Sequence, residues 1–235
     1  MALPFFYSDA IQKEQSTVVL NEETSRHIVQ VLRMNNGEQI NLTDGIGSLF
    51  TAEITDNNKR KCTVKIVSTS FQSYPFTNIT IAISLLKNAH RFEWFLEKAT
   101  EIGVSEIIPL ICERTEKQHF RQDRMKGILI SAMLQSQQNW LPALHEPVKF
   151  SAYIKQQITG RKFIAHCEDE NKQKLNSSPL EEKEPALILI GPEGDFTKSE
   201  IEDALQHKFV AVSLGRTRLR TETAGVVAAT LLTDS

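Results

Sequence analysis

The chain carries almost no bulk charge: 27 Lys and Arg against 29 Asp and Glu leave a formal net charge of −2 over 235 residues. No overall basic field draws it onto nucleic acid, so any such contact has to be a local patch. The three cysteines, Cys62, Cys112 and Cys167, sit far apart within apolar stretches and form no CxxC pair. That indicates neither a disulfide framework nor a zinc knuckle. No spaced cluster of ligands points to a metal. No apolar run is long enough to span a bilayer, so no membrane association is expected. "MALPFFYSDA" lacks the basic start and long apolar stretch of a signal peptide. A reducing cytoplasm is the expected compartment. Neither GxxxxGK[ST] nor GxGxxG occurs, which disfavours a phosphate cradle of that type and a dinucleotide-linked oxidoreductase. No supported Ser/His/Asp or Cys/His arrangement is present either.

What is there falls into two textures. Residues 1–72 read as short strands, "STVVL", "EQINLTDG", "SLFTAEI" and "CTVKIVS", punctuated by Asn35-Asn36-Gly37, Asp44-Gly45 and Asp56-Asn57-Asn58. Such spacing predicts a small β-barrel, interrupted by one helical stretch, "EETSRHIVQVLR". "QSYPFTN", 72–78, reads as a linker. From Ile79 the period changes. "ITIAISLL", "EIIPLIC", "KFIAHC", "ALILI" and "FVAVSL" are nearly continuous apolar strands. They alternate with helical patterns at 92–102, 125–133 and 198–207, the last opened by a Thr197/Glu200 capping box. The polar stretch 168–185 reads as an exposed loop. Alternation of this kind predicts a parallel α/β sheet with helices on both faces.

Ligands of such sheets bind at the carboxyl ends of the strands. Two loops stand out there. Gly191-Pro192-Glu193-Gly194-Asp195 follows "ALILI", and its glycines let the backbone approach a ligand closely. Read blandly, it is a tight strand-to-helix turn. "LGRTRLRTETAG", 214–225, follows "FVAVSL" and places Arg216, Arg218 and Arg220 at every second position. They form either a solvated edge or a loop built to hold an anion. Thr221 is a candidate cap for the apolar helix that follows. His27, the basic cluster His119, Arg121, Arg124 and Lys126, and Lys59-Arg60-Lys61 read as structural or solvated.

Taken together, "LILIGPEGDFTKSEIEDA" and "VSLGRTRLRTETAGVVA" resemble the carboxyl-terminal signature of the RsmE family. "LLKNAHRFEWFLEKATEIGVSEIIPLICERT", with Lys87, Glu97, Lys98, Glu101, Gly103 and Glu113-Arg114, and "HIVQVLRMNNGEQINLTDGIG" resemble further stretches of it, so the resemblance covers nearly the whole chain. It departs where the family usually has a second glycine after GPEG, here Asp195. An arginine common near the family's start is absent, and "LQSQQNWLP" replaces the usual Glu-Gln-Ser pattern.

The resemblance implies an S-adenosylmethionine-dependent enzyme that methylates N3 of a uridine in 16S ribosomal RNA. It implies an N-terminal PUA-like barrel that binds RNA, over 1–72. Residues 73–235 would form a SPOUT domain, a parallel sheet with a trefoil knot, working as a homodimer on 16S rRNA or the 30S subunit without a metal. The cofactor is expected against Leu189, Gly191, Pro192, Glu193, Gly194, Leu214, Gly215 and Leu219. Arg220 is the expected stabiliser of a uracil anion, and Glu222 either orients that arginine or acts as base. Arg33, Lys87, Arg91, Arg114, Arg216 and Arg218 are expected on RNA. A SPOUT enzyme for another RNA, and a non-catalytic assembly factor, remain alternatives.

Overall fold

The computed structural model describes residues 3–11, 15–74, 77–168, 172–175 and 184–233. Outside them lie residues 1–2 of the stretch weighed as a signal peptide, 75–76 of the linker, and 169–171 and 176–183 of the polar loop. The chain divides into two compact units, Met1–Pro75 with Met133–Leu141, and Phe76–Ala132 with Pro142–Ser235. The sequence suggested one boundary near residue 72 and gave no sign that 133–141 belongs with the first unit.

The first unit is a five-stranded sheet of β1 (Phe5–Tyr7), β2 (Thr17–Val19), β3 (Gln39–Thr43), β4 (Ser48–Asp56) and β5 (Thr63–Phe71), in the order β1-β3-β4-β5-β2. Among the described residues β1 pairs with β3 in parallel, and the other pairings are antiparallel. Along β4, buried Ser48, Phe50, Ala52 and Ile54 alternate with partly exposed neighbours, the period-2 signature of a sheet with one face in the core. Helix α1 (Glu22–Arg26) is capped by the Asn21 side chain, which accepts from Thr24 N at 2.8 Å. It continues as a π-turn over His27–Val31, which buries Ile28 beside Ile40, Leu42 and Phe50. Residues 139–141 are stitched to the same sheet. Gly47 N donates to Asn139 O at 2.9 Å, Leu141 N to Gly45 O at 2.9 Å, and Trp140 Nε1 to Gln72 O at 3.0 Å. These bonds tie the "LQSQQNWLP" segment to the turn "DGIG", a pairing no local pattern reveals.

The second unit is built on a parallel sheet. Its main strands are β6 (Ile79–Ser84), β7 (Glu106–Ile111), β10 (Arg161–Ala165), β12 (Ala186–Ile190) and β13 (Val210–Ser213), with short β8 (Ala143–Leu144), β9 (Val148–Lys149) and β11 (Gln173–Lys174). The order is β11-β13-β10-β12-β6-β7-β8, with β9 also on β7. All five residues of β12 are buried, as expected of a strand covered on both faces. On one face, Leu187 and Leu189 join Ile108, Ile164 and Phe196 with α4 (Phe150–Tyr153) and α5 (Lys198–Gln206). The other face carries α6 (Thr221–Thr233), which packs on β6 and β12, and α2 (Ala89–Ile102), which packs on α6. Helix α2 ends at Gly103 with φ +96°. Helix α3 (Gln122–Gln135) runs on into Met133–Leu141 of the first unit.

Gly225 sets the closeness of α2 and α6. A Cβ there would lie 2.6 Å from the buried Phe95 ring and 3.0 Å from Ile83 Cδ1, so only glycine admits this approach.

Candidate active site

The sheet order puts β10 between β12 and β13, so three strand ends open onto one pocket of about 490 Å³. Its walls are Ala165-His166-Cys167 after β10, Ile190-Gly191-Pro192-Glu193 after β12, and Val212 to Thr221 after β13. Pockets of this size suit a small organic ligand or cofactor.

The loop after β12 is held from several sides. Asp195 N donates to Pro192 O at 2.9 Å, closing a turn. Asp195 itself has φ +65°, a conformation an aspartate tolerates better than most side chains. Its Oδ2 accepts from Cys167 N at 2.7 Å and its Oδ1 from Phe196 N at 2.8 Å. A Cβ on Gly191 would lie 3.0 Å from the Phe196 ring and 3.1 Å from Phe196 N, so this glycine lets the loop lie on its own base. Downstream the capping box is present. Thr197 N donates to Glu200 Oε2 at 2.9 Å, Glu200 N to Thr197 Oγ1 at 3.3 Å, and the nearly buried Glu200 also accepts from Glu113 N at 2.8 Å.

The loop after β13 is different. Ser213 Oγ donates to Gly215 O at 2.9 Å, and beyond it Arg216, Arg218 and Arg220 are exposed. They line the pocket, and none of the three forms an ion pair among the described residues. The segment bends at Arg216-Thr217, so it is not an extended edge. Helix α6 starts at Thr221, one residue earlier than a Thr221 cap requires; Arg220 precedes it and its carbonyl accepts from Ala224 N at 2.7 Å.

A second cleft of about 300 Å³ adjoins the start of α6, lined by His90, Arg91, Trp94, Arg220, Glu222 and Thr223. Arg220 therefore borders both spaces. Glu222 is 6 % exposed, its Oε1 lies 3.7 Å from Arg91 Nε, and its Oε2 has no hydrogen-bond partner among the described residues. No ion pair joins Glu222 to Arg220.

Several residues read from the sequence lie elsewhere. Leu189 is fully buried in the core, and its neighbour Ile190 faces the pocket instead. Gly194 stays off the pocket wall: its carbonyl accepts from Arg114 Nη1 at 2.7 Å, and the same nitrogen reaches Phe196 O at 3.4 Å. Arg114 thus clamps the 191–196 loop. Lys87 N donates to Glu193 Oε1 at 3.2 Å, while its ammonium pairs with Glu116 at 2.7 Å. Arg33 is exposed in the first unit, at φ +56°. Cys167, read as lying in apolar surroundings, is exposed at the pocket wall. Partial burial and then the Asp195 carboxylate push its thiol pKa up, against the opposing pull of Arg218 and Lys172. None of His166, Cys167 and Lys172 was read as a site residue in the sequence. The signal for the first two is that "KFIAHC" ends as a strand, and that strand's place between β12 and β13 is a property of the topology.

Known proteins match this arrangement. The RNA methyltransferase domain family matches residues 72–233, and the RNA methyltransferase PUA domain family matches 20–67. The chain belongs to the RNA methyltransferase family. A Synechocystis relative named ribosomal RNA small subunit methyltransferase E is 31 % identical, over 91 % of this chain and 72 % of its own. The crystal structure of the protein of that name from Neisseria gonorrhoeae, bound to S-adenosyl methionine, is 31 % identical with a TM-score of 0.85, covering 97 % of this chain and 95 % of that one. A crystal structure from Porphyromonas gingivalis is 38 % identical with a TM-score of 0.89, over 97 % and 95 %. As an RNA methyltransferase, the chain has its two recognisable loops, after β12 and β13, within the matched domain.

Proposed function

We propose that the chain is an S-adenosylmethionine-dependent methyltransferase that modifies N3 of a uridine in 16S ribosomal RNA of the small subunit. The observation that carries this is the pocket at the ends of β10, β12 and β13, bordered by three arginines with no ion partner among the described residues. Its residues suit the cofactor. Leu214, Leu219 and Ala224 offer apolar surface for an adenine, the bared backbone at Gly215 offers polar groups, and Glu193, Asp195 and the arginines offer both signs of charge. A Cβ on Gly215 would meet nothing within 4 Å.

When bound, the cofactor supplies a methyl group made electrophilic by its sulfonium sulfur. The chain's own work is alignment and proton management. Uracil N3 carries a weakly acidic proton that has to leave before its electron pair can form a bond. Glu222 pairs with Arg91 and not with Arg220, which favours its role as proton acceptor over that of orienting Arg220. Arg220, between the two spaces, stabilises the negative charge left on the uracil oxygens. Arg216 and Arg218 hold phosphates. The target base leaves its stack to arrive there.

The first unit is a PUA-like RNA-binding domain whose sheet closes as a barrel, with Arg33 on RNA; its backbone contacts position the substrate without specifying it. The later strand β12 lies between β6 and β10, and α6 returns across β6 and β12, which supports a trefoil knot. The enzyme works as a cytoplasmic homodimer, with α6 partly at the interface.

Calorimetry tests the cofactor assignment. Gly215→Val adds bulk to open pocket space, so it should lose S-adenosylmethionine binding by at least tenfold while keeping its melting temperature. Unchanged affinity would place the cofactor elsewhere.

A further inference from the structure

The cleft at the start of α6 has a chemistry that the methyl-donor pocket does not need. His90, Arg91 and Trp94 lie on one face of α2, three and four residues apart, and face Arg220, Glu222 and Thr223. Trp94 is 43 % exposed, an unusual place for an indole on a polar helix. Beside it the nearly buried Glu222 holds a carboxylate oxygen with no hydrogen-bond partner among the described residues, and burying such an acceptor unsatisfied is costly. The wall therefore presents two guanidiniums, those of Arg91 and Arg220, and one carboxylate, that of Glu222.

We infer that this cleft is the acceptor-base pocket, with Trp94 as the stacking platform and Arg91, Glu222 and Arg220 as the readers of a uracil edge. The inference rests on the methyltransferase reading above and deepens it. Uracil's pairing edge carries two carbonyl acceptors, O2 and O4, and one N3–H donor, which two guanidinium donors and one carboxylate acceptor complement. Cytosine offers a bare N3 and an amino group, so its N3 lone pair would face the Glu222 carboxylate and its amino group a guanidinium. Unstacked bases are recognised in this way, by an aromatic face and their pairing edge. The geometry also gives the N3 proton a destination. It passes to Glu222, and the electron pair left on the ring spreads over N3, O2 and O4 between Arg91 and Arg220. Arg220 borders the cofactor pocket as well, so the base would be held next to the methyl donor.

The chain has two tryptophans, so Trp140→Phe leaves Trp94 as the sole indole reporter. With S-adenosylhomocysteine present, a uridylate hexamer should quench Trp94 fluorescence with at least tenfold higher affinity than a cytidylate hexamer. Equal quenching by the two, or none by uridylate, overturns the proposal. Methyl transfer to small subunits is measured in parallel with the unaltered protein. Transfer without uridylate-selective quenching removes the pocket and keeps the enzyme; selective quenching without transfer keeps the pocket and removes the assigned reaction. A second variant needs no reporter. Trp94→Ala should bind cofactor normally yet lower single-turnover transfer by roughly tenfold to a hundredfold, as expected for a lost base-stacking contact, and Trp94→Phe should recover most of it. If Trp94→Ala instead turns a dimer into a monomer in sedimentation, this face is a subunit contact and the proposal fails.

Discussion

Asp195 Oδ2 accepts a hydrogen bond from the backbone N–H of Cys167 at 2.7 Å, joining the loop after β12 to the end of β10. The two residues are 28 positions apart in the chain and border the same pocket. The aspartate holds φ at +65°, in the left-handed region that glycine enters most readily. The carboxylate thus adds a cross-link at a position whose backbone shape is otherwise glycine-like.

Removing that cross-link should loosen the cofactor pocket. Asp195→Ala loses both bonds and strains the positive φ, so it should lower stability by about 1–3 kcal/mol and cofactor affinity by roughly tenfold. Asp195→Gly relieves the strain but not the lost bonds, and should recover stability more than affinity. Thermal melting and calorimetry on both variants check this; full affinity in Asp195→Ala would show that the bond does not shape the pocket.

The same contact makes Cys167 a reporter. Cys62 and Cys112 are buried, with thiols pushed up to about 11 and about 12, so alkylation under native conditions should fall on Cys167 alone. Its own pKa is raised by burial and by Asp195. The thiolate fraction near neutral pH is therefore below that of a free cysteine, and the rate should keep climbing above the ordinary thiol range. Asp195→Asn removes the raising charge and should shift the profile to lower pH. Saturating S-adenosylmethionine should protect the thiol. Mass-spectrometric counting of alkylated sites against pH decides it, and equal labelling with and without cofactor would contradict the pocket assignment.

The arginines of the β13 loop should separate by assay. Arg216→Ala and Arg218→Ala should each weaken RNA binding and lower its salt slope by roughly one unit or less. Arg220→Ala should leave binding nearly intact and cut the single-turnover rate by on the order of a hundredfold or more. A normal rate in bound Arg220→Ala would reduce the whole ladder to a binding edge.

Much of this was legible from residue pattern. The continuous apolar runs of β6 and β12 announce strands covered on both faces, Thr197 and Glu200 announce the start of α5, and the alternation of strands and helices announces a parallel sheet. The loops after β12 and β13 were visible because glycine, proline and repeated arginine are unusual at strand ends. Strand order was not legible, so the contribution of β10 through His166 and Cys167 was missed. The clamp made by Arg114 was hidden for a related reason: the carbonyls it holds, at Gly194 and Phe196, lie 80 or more positions away in the chain. Leu189 and Ile190 show the period of a strand at work, since neighbours in β12 face opposite sides and only one of them meets the pocket. Trp94 passed as part of an amphipathic helix because its partners, Arg220 and Glu222, come from the far end of the chain.

The central claim is that this chain transfers a methyl group to N3 of a uridine in small-subunit RNA. The most direct measurement incubates the protein and S-adenosylmethionine with small subunits from cells in which its gene has been deleted, then maps modified nucleotides by mass spectrometry. The account predicts a single new 3-methyluridine in 16S RNA, absent with Arg220→Ala at matched times. A methyl group at another atom or on another RNA, or no transfer with cofactor bound, would contradict it.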